Sequence, residues 1–172
     1  MLTIRYSDPL IKAQQNELDK VLEIINMAKE HLKEQEIDQW QNGYPDEECI
    51  KNDLRNEKGY FVKDQENILG YLCIDFDSEP AYTDLKGNWN YDEAYTVVHR
   101  MAFKHHARGK NLADKVFRLL EEFSNLRGVH YFRVDTDPDN KKMQHILKKN
   151  GFVYCGKIWF DNSEKIAFDK KI

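Results

Sequence analysis

The sequence predicts an α/β (α+β) protein in which a mixed sheet is flanked by helices. Segments with apolar residues at helical spacing alternate along the chain with short β-branched and aromatic runs. Two of these runs are joined by a short polar turn, as expected of a hairpin. A third run, residues 95–103, leads through a basic loop directly into an amphipathic helix.

Size and composition predict one cytoplasmic domain, residues 1–172, with a single substantial core. The net charge of −4 argues against nucleic-acid or anionic-membrane binding, because such surfaces are basic. No signal peptide and no apolar run of about 20 residues is recognisable. The three scattered cysteines cannot form a complete disulfide framework, which favours a reducing compartment.

In chain order, the first predicted elements are an edge strand at residues 2–6 and two helices. The first helix covers residues 16–33, where apolar residues recur every three or four positions. The second opens at Pro45, which precedes three acidic residues, and ends near Arg55.

A hairpin is predicted next, followed by an acidic and aromatic insertion at residues 77–92. The hairpin strands and the later strands are expected at residues 60–63, 68–76, 95–103, 130–135, 152–160 and 165–168. One helix begins near Leu112 and a second covers residues 139–149. For the second, Asp137 is the expected N-cap, Pro138 the first helical residue and Asn150-Gly151 the C-terminal cap.

The basic loop at residues 104–111 has the features of a site for a phosphate-bearing ligand. The first N–H groups of a helix have no intrahelical acceptor and lie at the positive end of its dipole. Arg108 and Lys110 add positive charge at the same place. The loop matches neither a Walker A motif nor the G-x-G-x-x-G of dinucleotide-binding folds.

The loop instead resembles the [Q/R]-x-x-G-x-[G/A] pyrophosphate motif of the GNAT N-acetyltransferase superfamily, through Arg108-Gly109-Lys110-Asn111-Leu112-Ala113. Asn111 replaces the middle glycine, which is a mild departure because Asn enters left-handed backbone conformations readily. A second block, from Asn140 to Gly151-Phe152, resembles the family pattern N-x6-Y-x3-G-F, with Leu147 at the tyrosine position.

The resemblance implies a mostly antiparallel, twisted sheet of about seven strands and about four helices. The sheet would be splayed between its fourth and fifth strands, residues 95–103 and 131–135, to admit acetyl-CoA. The loop would hold the pyrophosphate, and backbone groups of the fourth strand would hold the thioester. The implied cofactor-binding residues are Met101, Ala102, Phe103, Arg108, Gly109, Lys110, Asn111, Leu112, Ala113, Asn140 and Met143.

Two residues are candidates for the catalytic base. His99 occupies the place where several GNAT families carry a catalytic Glu, and imidazole suits proton removal at neutral pH. The structural alternative is a histidine whose ring nitrogens are hydrogen-bonded within the sheet. Glu79 is the rival base, with a solvated loop acid as its alternative. Because Leu147 replaces the usual tyrosine acid, the acid is left open between Tyr154, a water and solvent.

The acceptor pocket is predicted to involve aromatic residues, since Trp40, Tyr44 and Tyr82 lie in segments that wall it in this superfamily. Aromatic residues that simply cover the sheet edge are the alternative. Arg100 either pairs with a sheet acid such as Asp75 or binds an acceptor carboxylate. No metal site is expected, because the adjacent His105 and His106 should diverge and no third ligand is evident.

The resemblance therefore implies an acetyl-CoA-dependent N-acetyltransferase that acts on a primary amine, most simply of a small molecule, by direct attack on the thioester. A homodimer is one candidate assembly. Three alternatives stay open: a non-catalytic acyl-CoA-binding module, a structural role in which CoA is incidental, and a protein N-terminal or lysine acetyltransferase.

Overall fold

The computed structural model describes residues 10–109 and 111–172. The strand predicted at residues 2–6 lies outside this range. The helices of the described part are α1 (Leu18–Glu34), α2 (Glu47–Arg55), α3 (Leu112–Leu126) and α4 (Lys141–Lys149). Its strands are β1 (Leu10–Lys12), β2 (Gly59–Asp64), β3 (Asn67–Asp75), β4 (Lys86–Gly87), β5 (Thr96–Phe103), β6 (Tyr131–Thr136), β7 (Val153–Phe160) and β8 (Ser163–Lys171).

The eight described strands form one sheet in the order β1-β2-β3-β5-β6-β8-β7-β4. Strands β5 and β6 are parallel, and the hairpins β2–β3 and β7–β8 are antiparallel. The predicted fold class, a mostly antiparallel mixed sheet with four helices, is confirmed, although the sheet has eight described strands rather than about seven. No helix of the described residues is long and apolar enough to cross a membrane.

The described chain divides into two compact units, and the assignment of residues 1–172 to one domain stays a prediction. The first unit runs up to Ile74 and resumes over His99–Leu119. Its core forms because the apolar stripe of α1 packs with apolar residues of α2, β2 and β3. This core includes Val21, Ile24, Ile25, Ala28, Ile50, Leu54, Phe61 and Tyr71.

The second unit consists of Asp75–Val98 and Leu120–Ile172. Aromatic residues dominate its core, which includes Tyr82, Tyr95, Val97, Tyr131, Ile158 and Ala167. The insertion at residues 77–92 is more ordered than the sequence indicated. It contains a 3₁₀ turn at Pro80–Asp84 and the short strand β4, which pairs with Lys157 and Gly156 of β7.

The start of α4 differs from the prediction. Asn140, not Asp137, is the N-cap, because its side-chain oxygen accepts the N–H of Met143 over 3.0 Å. Asp137 is committed elsewhere: Oδ1 accepts the N–H of Asp139 and Oδ2 forms a buried ion pair with Lys165 over 3.1 Å. The predicted end of the helix is confirmed, since Asn150 is the C-cap and Gly151 follows with a φ of +86°.

Candidate functional site

Strand β5 provides the first part of the candidate site. It pairs with β6 only through Thr96 and Val97, although it continues to Phe103. Both paired residues of β5 lie at its N-terminal end. At the other end, the N–H of Lys104 donates to the carbonyl oxygen of Leu69 over 2.8 Å, which fixes where β5 ends on β3.

The loop after β5 is compact and ends at the first turn of α3. His105–Ala107 form a 3₁₀ turn, and the N–H of Arg108 donates to the carbonyl oxygen of His105 over 3.2 Å. Gly109 and Asn111 both have left-handed backbones, with φ of +80° and +58°. Asn111 therefore adopts the conformation that its replacement of the family's glycine requires.

The loop is accessible at both left-handed residues. Gly109 and Asn111 are exposed, and a Cβ added at Gly109 would meet no atom within 4 Å. The N–H of Lys115 donates to the carbonyl oxygen of Asn111, so the helix begins directly after Asn111. The first N–H groups of such a helix have no acceptor within it, and its dipole is positive there. This arrangement can bind an anion.

Arg108 contributes to the loop through its side chain as well as its position. Its Nη1 lies 2.8 Å from Nδ1 of His105, and its Nη2 donates to the carbonyl oxygen of Met27 in α1 over 3.3 Å. Since a guanidinium can only donate, Nδ1 of His105 must be the acceptor. Partial burial lowers the pKa of Arg108, against the opposing effect of Glu34. The guanidinium therefore ties the loop to α1.

The two residues of α4 that were predicted to contact the pantetheine arm have different environments. The side-chain oxygen of Asn140 caps the helix, and Met143 is half-buried one turn further on. Leu147, at the family's tyrosine position, is only 2% exposed and belongs to the interior. Its aliphatic side chain fits that environment, and a phenol there would have to find a buried partner.

The two candidate bases are both positioned by the fold. His99 is buried in β5 and 8% exposed. Glu79 is half-buried before the 3₁₀ turn of the insertion, where its carboxylate accepts the N–H of Ala81 over 3.3 Å. The backbone N–H of Glu79 donates to the hydroxyl of Tyr95 over 2.9 Å, which holds this residue on the second unit. Tyr154, one of the candidate acids, is 50% exposed.

The aromatic residues predicted for the acceptor pocket have different environments. Trp40 and Tyr44 are half-buried in the segment between α1 and α2, and Trp40 packs against the core of the first unit. Tyr82 is buried in the core of the second unit, where its hydroxyl donates to Asp135 over 2.7 Å and its ring contacts Trp89. Burial raises the pKa of Tyr82, and Asp135 raises it further.

Arg100 pairs with an acid, as one of the two interpretations expected, but the acid is Asp53 rather than Asp75. Nε and Nη2 of Arg100 donate to the two carboxylate oxygens of Asp53 over 2.8 and 2.5 Å. The residue is left-handed within β5, with a φ of +54°, so the alternation of a regular strand could not locate its side chain.

Asp53 is the residue of this region that sequence reasoning missed. It lies on the buried side of α2, between Ile50 and Leu54, and is 4% exposed. An acidic residue on the apolar face of a helix indicates a buried carboxylate, which needs a partner inside the protein. Its partner is 47 positions away in the sequence, so the pair could not be named from the sequence.

Metal binding finds no structural support within the described ranges. In residues 10–109 and 111–172, no group of three or more His, Cys, Asp or Glu side chains is arranged to hold a metal ion. His105 is engaged with Arg108, and its ring also makes an edge contact with the ring of His31, at 6.4 Å between centroids.

Comparison with known proteins identifies the class to which this site belongs. The model of the acetyltransferase (GNAT) family matches residues 25–152. A GNAT-family acetyltransferase from Streptococcus agalactiae has a similar solved structure, with 30% identity, coverage of 95% of this chain and 94% of that one, and a TM-score of 0.86. The chain therefore belongs to the GNAT acetyltransferase family. No match was found among curated proteins.

Two further solved structures share the fold at lower identity. One is the aminoglycoside acetyltransferase AAC(6')-Ib in complex with coenzyme A, with 17% identity, 94% and 93% coverage and a TM-score of 0.67. The other is a Salmonella typhimurium acetyltransferase that modifies the N-terminal serine of ribosomal protein L7/L12, with 13% identity, 98% coverage of both chains and a TM-score of 0.67. Proteins of this fold thus act on both small molecules and proteins.

Proposed function

We propose that this protein is an acetyl-CoA-dependent N-acetyltransferase that transfers the acetyl group to a primary amine of a small molecule. The observation that carries the proposal is the exposed loop at the start of α3, where Gly109 and Asn111 are both left-handed. Such a loop presents backbone N–H groups to a diphosphate at the positive end of a helix. The chain's membership of an acetyltransferase family supports the same ligand.

Each part of acetyl-CoA has proposed contacts. The loop, Arg108-Gly109-Lys110-Asn111-Leu112-Ala113, would hold the pyrophosphate, and Asn140 and Met143 of α4 would contact the pantetheine arm. The backbone of Met101, Ala102 and Phe103 would hold the thioester. A donor aimed at the developing oxyanion contributes about 3 kcal/mol to catalysis in well-studied enzymes. Backbone donors place no demand on side-chain identity.

The proposed reaction is direct transfer. The neutral amine attacks the thioester carbonyl carbon, the C–N bond forms, and the C–S bond breaks with departure of the CoA thiolate. His99 is the proposed base for the ammonium proton, with Glu79 as the second candidate. A thiol has a pKa of about 8.5, so the thiolate can take its proton from water or solvent. The reaction therefore does not need another side chain in place of the tyrosine acid that is missing at Leu147.

The proposed acceptor is an amine on an apolar or aromatic body. Trp40 and Tyr44 in the α1–α2 segment are the proposed pocket residues of the first unit. Arg100 was predicted for the same role, and its side chain is buried in the ion pair with Asp53. Tyr82 was predicted for the same role, and its complete burial supports the alternative that it packs the sheet. The acidic residues of the insertion favour a cationic acceptor. We further propose a cytoplasmic location, since all three cysteines are free thiols.

A thiol-release assay tests the function. Acetyl-CoA is presented with panels of polyamines, arylalkylamines, aminoglycosides, amino acids and short peptides, and CoA binding is measured by calorimetry in parallel. Release with a small amine supports the proposal. Release only with peptides would favour a protein acetyltransferase. CoA binding without release over any panel would favour a non-catalytic module, and absence of CoA binding would refute the proposal.

A further inference from the structure

Arg100 has an unfavourable backbone conformation in the middle of β5. Its φ is +54°, in the left-handed region. This region is costly for a residue with a Cβ, and such residues persist where the surrounding structure holds them. The φ and ψ of a residue set the direction of the next peptide group. The conformation of Arg100 therefore decides where the N–H of Met101 points.

Two segments of the first unit hold the side chain of Arg100, and a third segment holds its partner Asp53. Nε and Nη2 donate to Asp53 of α2 over 2.8 and 2.5 Å, and Nη1 donates to the hydroxyl of Tyr44 over 2.6 Å. Tyr71 of β3 donates to the same Asp53 carboxylate over 2.8 Å. The ion pair is buried, with side-chain exposures of 9% for Arg100 and 5% for Asp53.

The guanidinium of Arg100 keeps its positive charge in this buried site. Burial alone would lower the pKa of Arg100, but Cys73, Tyr44 and Asp53 together raise it above its ordinary value. A buried, bidentate arginine–carboxylate pair has a fixed geometry, which lysine cannot reproduce. Because Asp53 occupies the bidentate side of the guanidinium, an acceptor carboxylate would have to compete with a buried, hydrogen-bonded acid. The carboxylate-binding role considered for Arg100 is therefore disfavoured.

We propose that Arg100 is a positioning residue for the acetyl-transfer step. Its pair with Asp53 holds the left-handed conformation in β5 and so directs the backbone N–H groups of Met101–Phe103 at the thioester carbonyl. The other end of this segment is fixed by the hydrogen bond from Lys104 to Leu69. This inference rests on the proposed function and adds to it the device that orients the reacting carbonyl.

Two double variants separate positioning from simple stabilisation. Arg100→Ala/Asp53→Asn and Arg100→Gly/Asp53→Asn lose the same side-chain contacts, but only glycine adopts a left-handed backbone without cost. A merely structural ion pair predicts equal rates for the two. Positioning predicts that the glycine variant keeps most of the wild-type thiol release at saturating acetyl-CoA, while the alanine variant is at least about 10-fold slower. The Kd for CoA should change less than about 3-fold in both, because the loop is untouched.

A spectroscopic measurement reports the same effect without an acceptor amine. Acetyl-CoA labelled with ¹³C at the thioester carbonyl is bound to each variant, and its infrared stretching frequency is compared with that of free acetyl-CoA. Hydrogen bonding from β5 should lower the frequency in the wild type and in the glycine variant, but not in the alanine variant. If the double variants do not fold, Arg100→Lys, which keeps the charge, replaces them. In this variant the carbonyl frequency should not be lowered. Tyr71→Phe is the control that leaves the guanidinium pair intact.

The outcomes distinguish the inference from the function on which it rests. Equal rates and equal carbonyl frequencies in folded variants would overturn the positioning role and leave the acetyltransferase intact. A wild-type protein that binds CoA but shows no carbonyl shift would overturn the positioning role alone. A wild-type protein that does not bind CoA would overturn both.

Discussion

Gly109 and Asn111, two residues apart in the loop that precedes α3, share a left-handed backbone, with φ of +80° and +58°. Glycine adopts this conformation freely, and asparagine adopts it more readily than other residues with a side chain. Asparagine thus adopts a left-handed conformation at the position where the family motif has its middle glycine. The conformation, rather than the glycine itself, is what the proposed diphosphate site needs.

Substitutions of Asn111 test this requirement. Asn111→Gly should leave the Kd for CoA within about 2-fold of wild type, because glycine allows the same φ. Asn111→Val should weaken CoA binding about 5- to 30-fold, because the left-handed conformation costs residues other than Gly, Asn and Asp roughly 1–2 kcal/mol. Calorimetric titration with CoA measures both. Equal affinity for the two variants would contradict a role for this backbone in binding.

The charges of the loop should contribute separately from its backbone. Arg108→Ala combined with Lys110→Ala should weaken CoA binding at least about 10-fold, and the remaining binding should depend less on salt, since the proposed diphosphate site loses two cations. Titrations at two salt concentrations measure this. Arg118→Ala is the control, because Arg118 is an exposed cation further along α3. Unchanged affinity in the double variant would refute the assignment of the loop.

Most helices and strands could be predicted because their signals are local. The apolar spacing of α1, α3 and α4 and the hairpin turn between β2 and β3 are contained in short stretches of sequence. The position of a loop directly before α3 was predictable for the same reason. Strand β4 was missed, because a two-residue strand has no periodicity and forms through its partner β7.

What the sequence could not supply are relationships between distant residues. The cap at Asn140 was misassigned to Asp137, because Asp137 also has the right chemistry and its ion pair with Lys165 appears only in the fold. The left-handed Arg100 has no local signal either, since it depends on Asp53, 47 positions away. Short-range patterns cannot predict contacts of this kind.

The catalytic base can be identified by its effect on the pH–rate profile. An imidazole base loses activity as it protonates, which produces a limb on the acidic side of the pH–rate profile. If His99 is the base, His99→Ala should lower kcat at least about 10-fold and remove this acidic limb. His130→Ala is the matched control, because His130 is exposed and hydrogen-bonded to Asn125. If the limb persists in His99→Ala but disappears in Glu79→Gln, the base is Glu79.

Asp169 should make the second unit sensitive to acid. It is 2% exposed and accepts hydrogen bonds from the hydroxyl of Tyr131 over 2.6 Å and from the backbone and side chain of Asn90, both over 2.8 Å. Burial alone would raise the pKa of Asp169, but the hydrogen bonds outweigh burial and hold the pKa below its ordinary value of 3.8. A carboxyl whose pKa is lower in the folded state stabilises the fold above its unfolded pKa, and this contribution is lost as pH falls through the folded pKa.

Asp169→Asn should lower the free energy of unfolding by about 1–3 kcal/mol at pH 7, because the Asn90 and Tyr131 donors lose a charged acceptor. The difference from wild type should shrink as pH falls below about 4, since the wild type then loses the same contribution. Urea unfolding between pH 3 and 7 measures both curves. Asp92 is an exposed acid of the same unit, so the free energy of unfolding of Asp92→Asn should equal that of the wild type over this pH range. A difference between Asp169→Asn and wild type that stays constant down to pH 3 would show that the charge of Asp169 does not stabilise the fold.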